Sequence, residues 1–415
     1  MRLARGTLAH AAQVVSKALD FSAPAAETLS GYFRSHHELG PQERAFVAEA
    51  VFAVLRRKRS LEAAAGSSAP EALIAAAAMR VLGFSGRALE GLVDDDLVQR
   101  VRTFRPEELP AAMRADLPDW LWERLAAEHG EVEAQRIAQG MLNPAPLDLR
   151  ANLARIGREE ALARLAEDGI RAQPTPHSPA GLRLEGKPPI NRHTLFREGL
   201  VEVQDEGSQL LAWLVAPRRG EMVADYCAGA GGKTLALAML MRGSGRIYAM
   251  DVSARRLGAL TPRAARAQVT NVHSVALSGD NDARAKRLAG KLDRVLVDAP
   301  CSGFGTLRRN PDLKWRHGPE AILQLARKQR GILEAAARLV KPGGRLVYAT
   351  CSILREENEA IVDAFANTHP EFAPLSCGEI LSAQRIALQT GFHLRLWPHL
   401  QATDGFFAAA FERRA

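Results

Sequence analysis

Cys301 and Cys351 each stand just beyond a short apolar run, RVLVDAP before the first and RLVYAT before the second. Runs of that length and content read as buried strands. If the two strands are neighbours, both thiols emerge at one edge of a sheet, with Asp298 beside them. A solitary free cysteine is most often a small buried hydrophobe. Two at equivalent strand ends, one next to Asp-Ala-Pro, suit methylation of cytosine at C5. That carbon does not attack a sulfonium methyl unaided. Addition of a thiolate across C5=C6 turns it into an enamine carbon that does, provided the thiol, with an ordinary pKa of ~8.5, is activated by its surroundings. An acid hydrogen-bonded to N3 makes the ring more electrophilic, and Asp298 is placed for that. A base then removes the C5 proton and the thiol leaves by elimination, which a second cysteine assists.

A methyl donor needs a site on the same edge, and DYCAGAGGKT (225–234) follows another apolar run, MVADY. The phosphate-binding pattern G-x-x-x-x-G-K-[ST] fails here, because the position five before Gly232 is Cys227. The dinucleotide pattern G-x-G-x-x-G also fails, since Gly229 and Gly231 fit but Thr234 stands third. What remains is a turn in which Gly229, Gly231 and Gly232 let the backbone approach a ligand closely. One helix and one strand later comes Asp251 in YAMDVS, at a strand end suited to the two hydroxyls of a ribose. A glycine turn with a ribose-reading acid and no pyrophosphate fingerprint fits an adenosine cofactor without phosphates, S-adenosylmethionine. Read singly, the glycines are ordinary turn residues and Asp251 a helix cap; their order gives them weight.

The elements that must position these residues alternate. Strand and helix take turns from MVADY through RIYAM, RVLVD and RLVYAT, with helices from Lys233, from Ser253, through Ile332 and from Glu356, which predicts a parallel, doubly wound α/β sheet. GFHLRLWPHLQATDGFFAAAFER reads as two more strands forming an antiparallel edge. Before this, PLDLRANL, REEALARLAEDG and GLRLEG make a small α+β unit reaching roughly Gln204. The chain before it reads as helix. In ELGPQERAFVAEAVFAVLRRKRSL, Pro41 suits a first turn and Val47, Ala48, Val51, Phe52 and Leu55 form one stripe. The run Arg56, Arg57, Lys58, Arg59 reads as a solvated, dipole-complementing helix end, with an RNA contact as the other reading.

At 415 residues two or three domains are expected, and 47% hydrophobic with 25% charged residues describes a folded, soluble chain. A net charge of +8 favours an anionic partner. Only nine of the 55 basic residues are lysine, however, so part of the arginine excess reflects composition at large. Four scattered cysteines make neither a disulfide framework nor a C-x-x-C metal site, and imply a reducing, cytoplasmic setting. No run approaches a membrane span, and MRLARGTLAHAAQVVSKALDF reads as a retained amphipathic helix rather than a signal peptide.

These residues resemble those of the RNA cytosine-5 methyltransferases of the NOL/NOP/Sun group, and over the whole chain the bacterial 16S ribosomal RNA type B enzymes. VQDEGSQ, DYCAGAGGKT, VDAPCSGFG, RRNPDLKWR, YATCSILREENE and TDGFF carry the likeness. ERAFVAEAVFAVLRR is similar to the NusB-like RNA-binding domain of those enzymes. The resemblance implies three parts: an all-helical NusB-like domain at 1–130, an α+β, RRM-like subdomain at 131–204, and a Rossmann-like class I methyltransferase domain at 205–415. It makes Cys351 the nucleophile and Cys301 the cysteine that aids release. It assigns Cys227, Ala228, Gly229, Ala230, Gly231, Gly232 and Lys233 to the methionine part of S-adenosylmethionine, Asp251 to the ribose, Asp280 to the adenine side, and Asp298 to the space between cofactor and base; Lys233 also reaches the target cytosine. The family's turn is C-A-A-P-G-G-K-T, and here Gly229 and Ala230 replace the Ala-Pro pair, which loosens it. The expected substrate is 16S ribosomal RNA, with transfer RNA as the alternative and a noncatalytic assembly factor as the rival class. No metal, no membrane and a monomer are expected.

Overall fold

Pro41 has no N–H to waste at a first helical position, and the helix Pro41–Arg56 starts on it, with the Glu43 carboxylate accepting from Gly40 N at 2.9 Å. This computed structural model describes residues 3–415. Val47, Val51 and Leu55 are fully buried on one stripe of that helix, which packs against the helices Arg5–Leu19 and Pro70–Arg80. Helices continue past the expected limit at 130. Gly130 (φ 76°) is only the turn between Asp119–His129 and Glu131–Met141, and the compact helical unit closes at Pro144.

The basic run at 56–59 is not a solvated helix end. Arg56 is buried and donates to Arg308 O at 3.0 Å, burial pulling its guanidinium down to about 10. Arg59 pairs with Asp119 at 2.6 Å, and Lys58 pairs with Glu62 while lying over the Trp315 ring. Trp315 and Arg308 belong to a second piece of chain, Thr306–Pro319, that folds into this helical unit although it follows the Cys301 loop in sequence. Lys314 Nζ donates to Arg56 O at 2.8 Å and Trp315 Nε1 to Leu55 O at 2.8 Å, so RRNPDLKWR satisfies the last carbonyls of the Pro41–Arg56 helix. Burial holds the Lys314 ammonium down at about 7, against the pull of Asp116.

The other unit comprises 145–305 and 320–415. It begins with a small sheet of β1 (Leu147–Ala151), β2 (Ala172–Pro174), β3 (Gly181–Leu184) and β4 (Val201–Val203) in the order β2-β3-β1-β4, with the helix Arg158–Glu167 between β1 and β2. This is the ferredoxin-like arrangement that RRM-like domains share. Alternation sorts the strands: Leu149, Ala151, Leu182, Leu184 and Val201 meet Ala161 and Leu165 of the helix. The opposite face is polar yet closed. Arg183 chelates Asp148 at 2.7 and 2.9 Å, Arg266 chelates Glu202 at 2.9 and 2.8 Å, and Arg150 donates to Gln204 and, at 3.0 Å, to Gly232 O. The face on which an RRM stacks bases is thereby spent on ion pairs within this unit. Gly199 (φ 68°) crosses this junction so closely that a Cβ there would lie 2.2 Å from Arg266 O. Gly199→Ala is expected to cost about 3 kcal/mol, seen as a lowered midpoint in denaturant.

The large sheet holds β5 (Met222–Asp225), β6 (Arg246–Asp251), β7 (Val272–Ala276), β8 (Leu292–Asp298), β9 (Val340–Thr350), β10 (Phe372–Leu375), β11 (Leu394–Leu396) and β12 (Phe406–Arg413). Its order is β10-β12-β9-β8-β5-β6-β7, with β11 paired to β12. The strands from β5 to β9 pair in parallel, while β12 runs antiparallel to both β9 and β10. The expected antiparallel edge is therefore corrected: β11 and β12 do pair, but β12 lies inside the sheet. Its central residues Phe407, Ala408, Ala409, Ala410 and Phe411 are buried on both faces, as an interior strand requires. Alternate residues of β8 and β9 feed opposite cores, Val295, Val297, Leu346 and Tyr348 on one side, Leu296, Val347 and Ala349 on the other.

Candidate active site

β8 and β9 pair in parallel with Asp298 opposite Ala349, so the loops behind them leave the sheet together. Cys301 Sγ and Cys351 Sγ come to 3.4 Å, as the sequence leads one to expect. The hydrogen bond to Cys351, and next to it burial, pushes the Cys301 thiol well above its ordinary range, so it stays protonated at neutral pH. Asp298 Oδ2 accepts from Lys233 Nζ at 2.7 Å. Burial works against the Lys233 ammonium, but the charge and hydrogen bond of Asp298 outweigh it, with Cys351 and Asp225 adding to the rise. Lys233 also lies 5.6 Å from the centre of the Phe406 ring. One cluster thus gathers Lys233 from the turn, Asp298 from β8 and both cysteines.

The turn itself is pinned without the family's proline. Arg263 Nη1 donates to Ala230 O at 2.6 Å, Gly231 N to Ala228 O at 2.8 Å, and Gly229 N to Asp251 Oδ2 at 2.8 Å. Gly231 (φ 82°) leaves room for Leu260, whose Cδ1 would stand 2.2 Å from an added Cβ. Asp251 also accepts from Ser253 N at 2.7 Å, but the helix Ala254–Gly258 is capped by Ser253, so Asp251 is no helix cap. Cys227 is half-buried in the same turn, its thiol pushed up by burial and then by Asp298. Asp280 is exposed beyond β7, and its Oδ2 lies 3.1 Å from where a Cβ on Gly331 would stand. Its charge adds to burial in pushing Tyr226 up to about 12.

Two buried oxygens on this edge, Asp225 Oδ1 and Tyr226 Oη, have no hydrogen-bond partner among the described residues. A ligand with a cationic sulfonium and ammonium supplies a partner for such a carboxylate, and the three glycines leave the turn open for its approach. The residues present fit S-adenosylmethionine. Asp225 is raised to about 7, chiefly by burial and against the hydrogen bond from Thr234. A carboxyl raised above its unfolded 3.8 adds stability while protonated and loses it as pH rises through about 7. A cofactor ammonium paired with Asp225 would draw on the ionised form, so on that pairing affinity for S-adenosylhomocysteine is expected to rise between pH 6 and 8, and the rise to vanish in Asp225→Asn. Calorimetric titration across that range checks it.

Sequence reasoning passed over Asp225 and Thr234, although both lie inside the quoted turn. It also missed Arg150, Arg263 and the buried Glu357, which act across long stretches of chain. Among the described residues no helix is long and apolar enough to cross a membrane.

A parallel sheet with one antiparallel strand beside β9, and a glycine turn and an acid at the ends of β5 and β6, define a class I methyltransferase that uses S-adenosylmethionine. A family model for the 16S rRNA methyltransferase RsmB/F matches residues 212–412, and one for the ferredoxin-like domain of that family matches 117–191. The chain belongs to the RsmB/F family. It is 32% identical to the probable ribosomal RNA small subunit methyltransferase B of Synechocystis over 91% of this chain and 93% of that one. The Bacillus subtilis protein of the same description is 35% identical over 72% of this chain, and the match spans just under two thirds (66%) of the relative's length. A methyltransferase homologue from Pyrococcus horikoshii of solved structure is 31% identical, with a TM-score of 0.63 over 75% of this chain and all of the other.

Proposed function

We propose that this enzyme methylates C5 of a cytosine in 16S ribosomal RNA through a transient bond between Cys351 Sγ and C6. The reading is carried by the contact between Cys301 and Cys351 at the mouth of the turn that takes the cofactor. When bound, S-adenosylmethionine supplies an electrophilic methyl group. Cys351 adds as thiolate to C6, and the C5=C6 electron pair becomes available at C5. The Lys233 ammonium donates to the Asp298 carboxylate, and this pair lends a proton to N3 as negative charge builds on the ring and takes it back when the C5=C6 bond is restored. Once C5 carries the methyl group its proton departs to a base, the S–C6 bond breaks with its electrons returning to sulfur, and Cys301, held as a thiol, protonates the leaving sulfur. The base must be splayed from its stack for C5 and C6 to be reached.

Family membership and the net charge of +8 support ribosomal RNA as the partner; the helical unit supplies phosphate contacts in this reading, and binding should weaken steeply with salt. The test is transfer of label from methyl-labelled cofactor to 16S RNA from a deletion strain, followed by bisulfite sequencing. One labelled cytosine that is unmethylated in the deletion strain is expected. Label in transfer RNA alone would reassign the substrate, and no transfer to any RNA would leave a noncatalytic assembly factor.

A further inference from the structure

Glu357 is fully buried, yet it carries a carboxylate aimed at both cysteine loops. Oε1 accepts from Ser302 N at 2.8 Å and from Gln329 Nε2 at 2.9 Å; Oε2 accepts from Ser302 Oγ at 2.6 Å and from Ser352 Oγ. Ser302 follows Cys301 and Ser352 follows Cys351, and the two hydroxyls are themselves 3.2 Å apart. The same Gln329 amide donates to Pro300 O at 3.0 Å on the other side of Cys301. Asn358, the next residue, accepts from Thr350 Oγ1 at 2.6 Å and donates to Ser352 O at 3.1 Å, bracketing Cys351. A buried carboxylate with four donors converging on it costs little to keep, but removing it strands all four.

We infer that Glu357 is a positioning residue: it ties the loop of Cys301 to the loop of Cys351 and so fixes the distance between the two sulfurs. This rests on the proposed use of both thiols in one reaction, although the spacing itself can be read without catalysis. The carboxylate hydrogen-bonds to neither sulfur; its hold on their spacing passes through the adjoining serines, while its charge adds to the rise of the Cys301 thiol. Ser302 Oγ also accepts from Phe304 N and Ser352 Oγ from Leu354 N, so each hydroxyl links its own loop backbone to the Glu357 carboxylate. Glutamine keeps the shape and the Oε1 contacts while losing the Oε2 acceptor. Alanine loses everything.

Phenylarsine oxide reads the spacing directly, since its arsenic bonds two thiols at once with loss of one water and no change in oxidation state. Bound arsenic on wild-type protein should map by mass spectrometry to Cys301 and Cys351. Glu357→Ala should bind it at least ~10-fold more weakly and lose turnover ~100-fold with little change in KM, while Glu357→Gln, which keeps the Oε1 contacts but not the acceptor for the two hydroxyls, should recover only part of either. Should Glu357→Ala fail to fold, the Ser302→Ala, Ser352→Ala double variant takes its place, with a loss like that of Glu357→Gln expected, since both remove the two hydroxyl contacts to Oε2. Wild-type arsenical affinity in a folded Glu357→Ala or in the double variant overturns the inference. Absence of methyl transfer in the wild type, with the arsenical result as expected, would overturn the reaction proposed above and leave the spacing role standing.

Discussion

Cys351→Ala is expected to lose methyl transfer by ~10⁴-fold or more and to form no covalent species with RNA, because without the sulfur C5 never becomes nucleophilic. Cys301→Ala should behave in the opposite way. It keeps the attacking sulfur and loses the proton donor 3.4 Å away, so protein should accumulate with RNA attached and migrate slowly on a denaturing gel. The two variants are judged side by side with methyl-labelled cofactor. An adduct in Cys351→Ala and none in Cys301→Ala would exchange the roles of the two thiols; an adduct in neither would remove the covalent step altogether.

The second large effect is expected at Asp298. Asp298→Asn keeps the shape but removes the charge that holds up the Lys233 ammonium, which burial otherwise depresses. Loss of a positioned proton relay is worth about 10²- to 10⁴-fold in kcat, and a value in that range is expected. The variant should also become pH-sensitive. A lysine whose pKa falls below its unfolded value is more stable in the fold when neutral, so the variant should recover thermal stability as pH rises, whereas the wild type should not. Melting curves from pH 7 to 10 would show it. A kcat within a few-fold of the wild type would remove the pair from the chemistry.

The parts of this site that lie within a few residues of one another could be read from sequence. A strand end followed by a loop fixes where a side chain emerges, so DYCAGAGGKT, VDAPCSG and YATCS announced Lys233, Asp298, Cys301 and Cys351 before their spacing was known. What escaped notice depends on contacts across the chain. Ser302 and Glu357 are 55 residues apart, and nothing in ILREENE says that Glu357, rather than the half-buried Glu356 or Glu359, turns fully inward. β7 was missed because most of its residues are half or fully exposed at an edge, and β10 because it is short and paired on one side only. The interior place of β12 follows from pairing with β9 and β10, which no local pattern records. The basic run at 56–59 misled for the same reason: its neighbours Arg308, Lys314 and Trp315 lie some 250 residues further along.

That borrowed segment bears on any attempt to take the protein apart. A gene cut after codon 144 does not yield two self-sufficient products. The helical fragment would lack Thr306–Pro319, exposing the carbonyls of Leu55 and Arg56 and the seat of the Trp315 indole; the remainder would trail a loop whose lysine, aspartate and tryptophan have lost their burial. Deletion of the first 144 residues is therefore a poor control for RNA affinity, since it also strips support from the stretch of chain that begins five residues after Cys301.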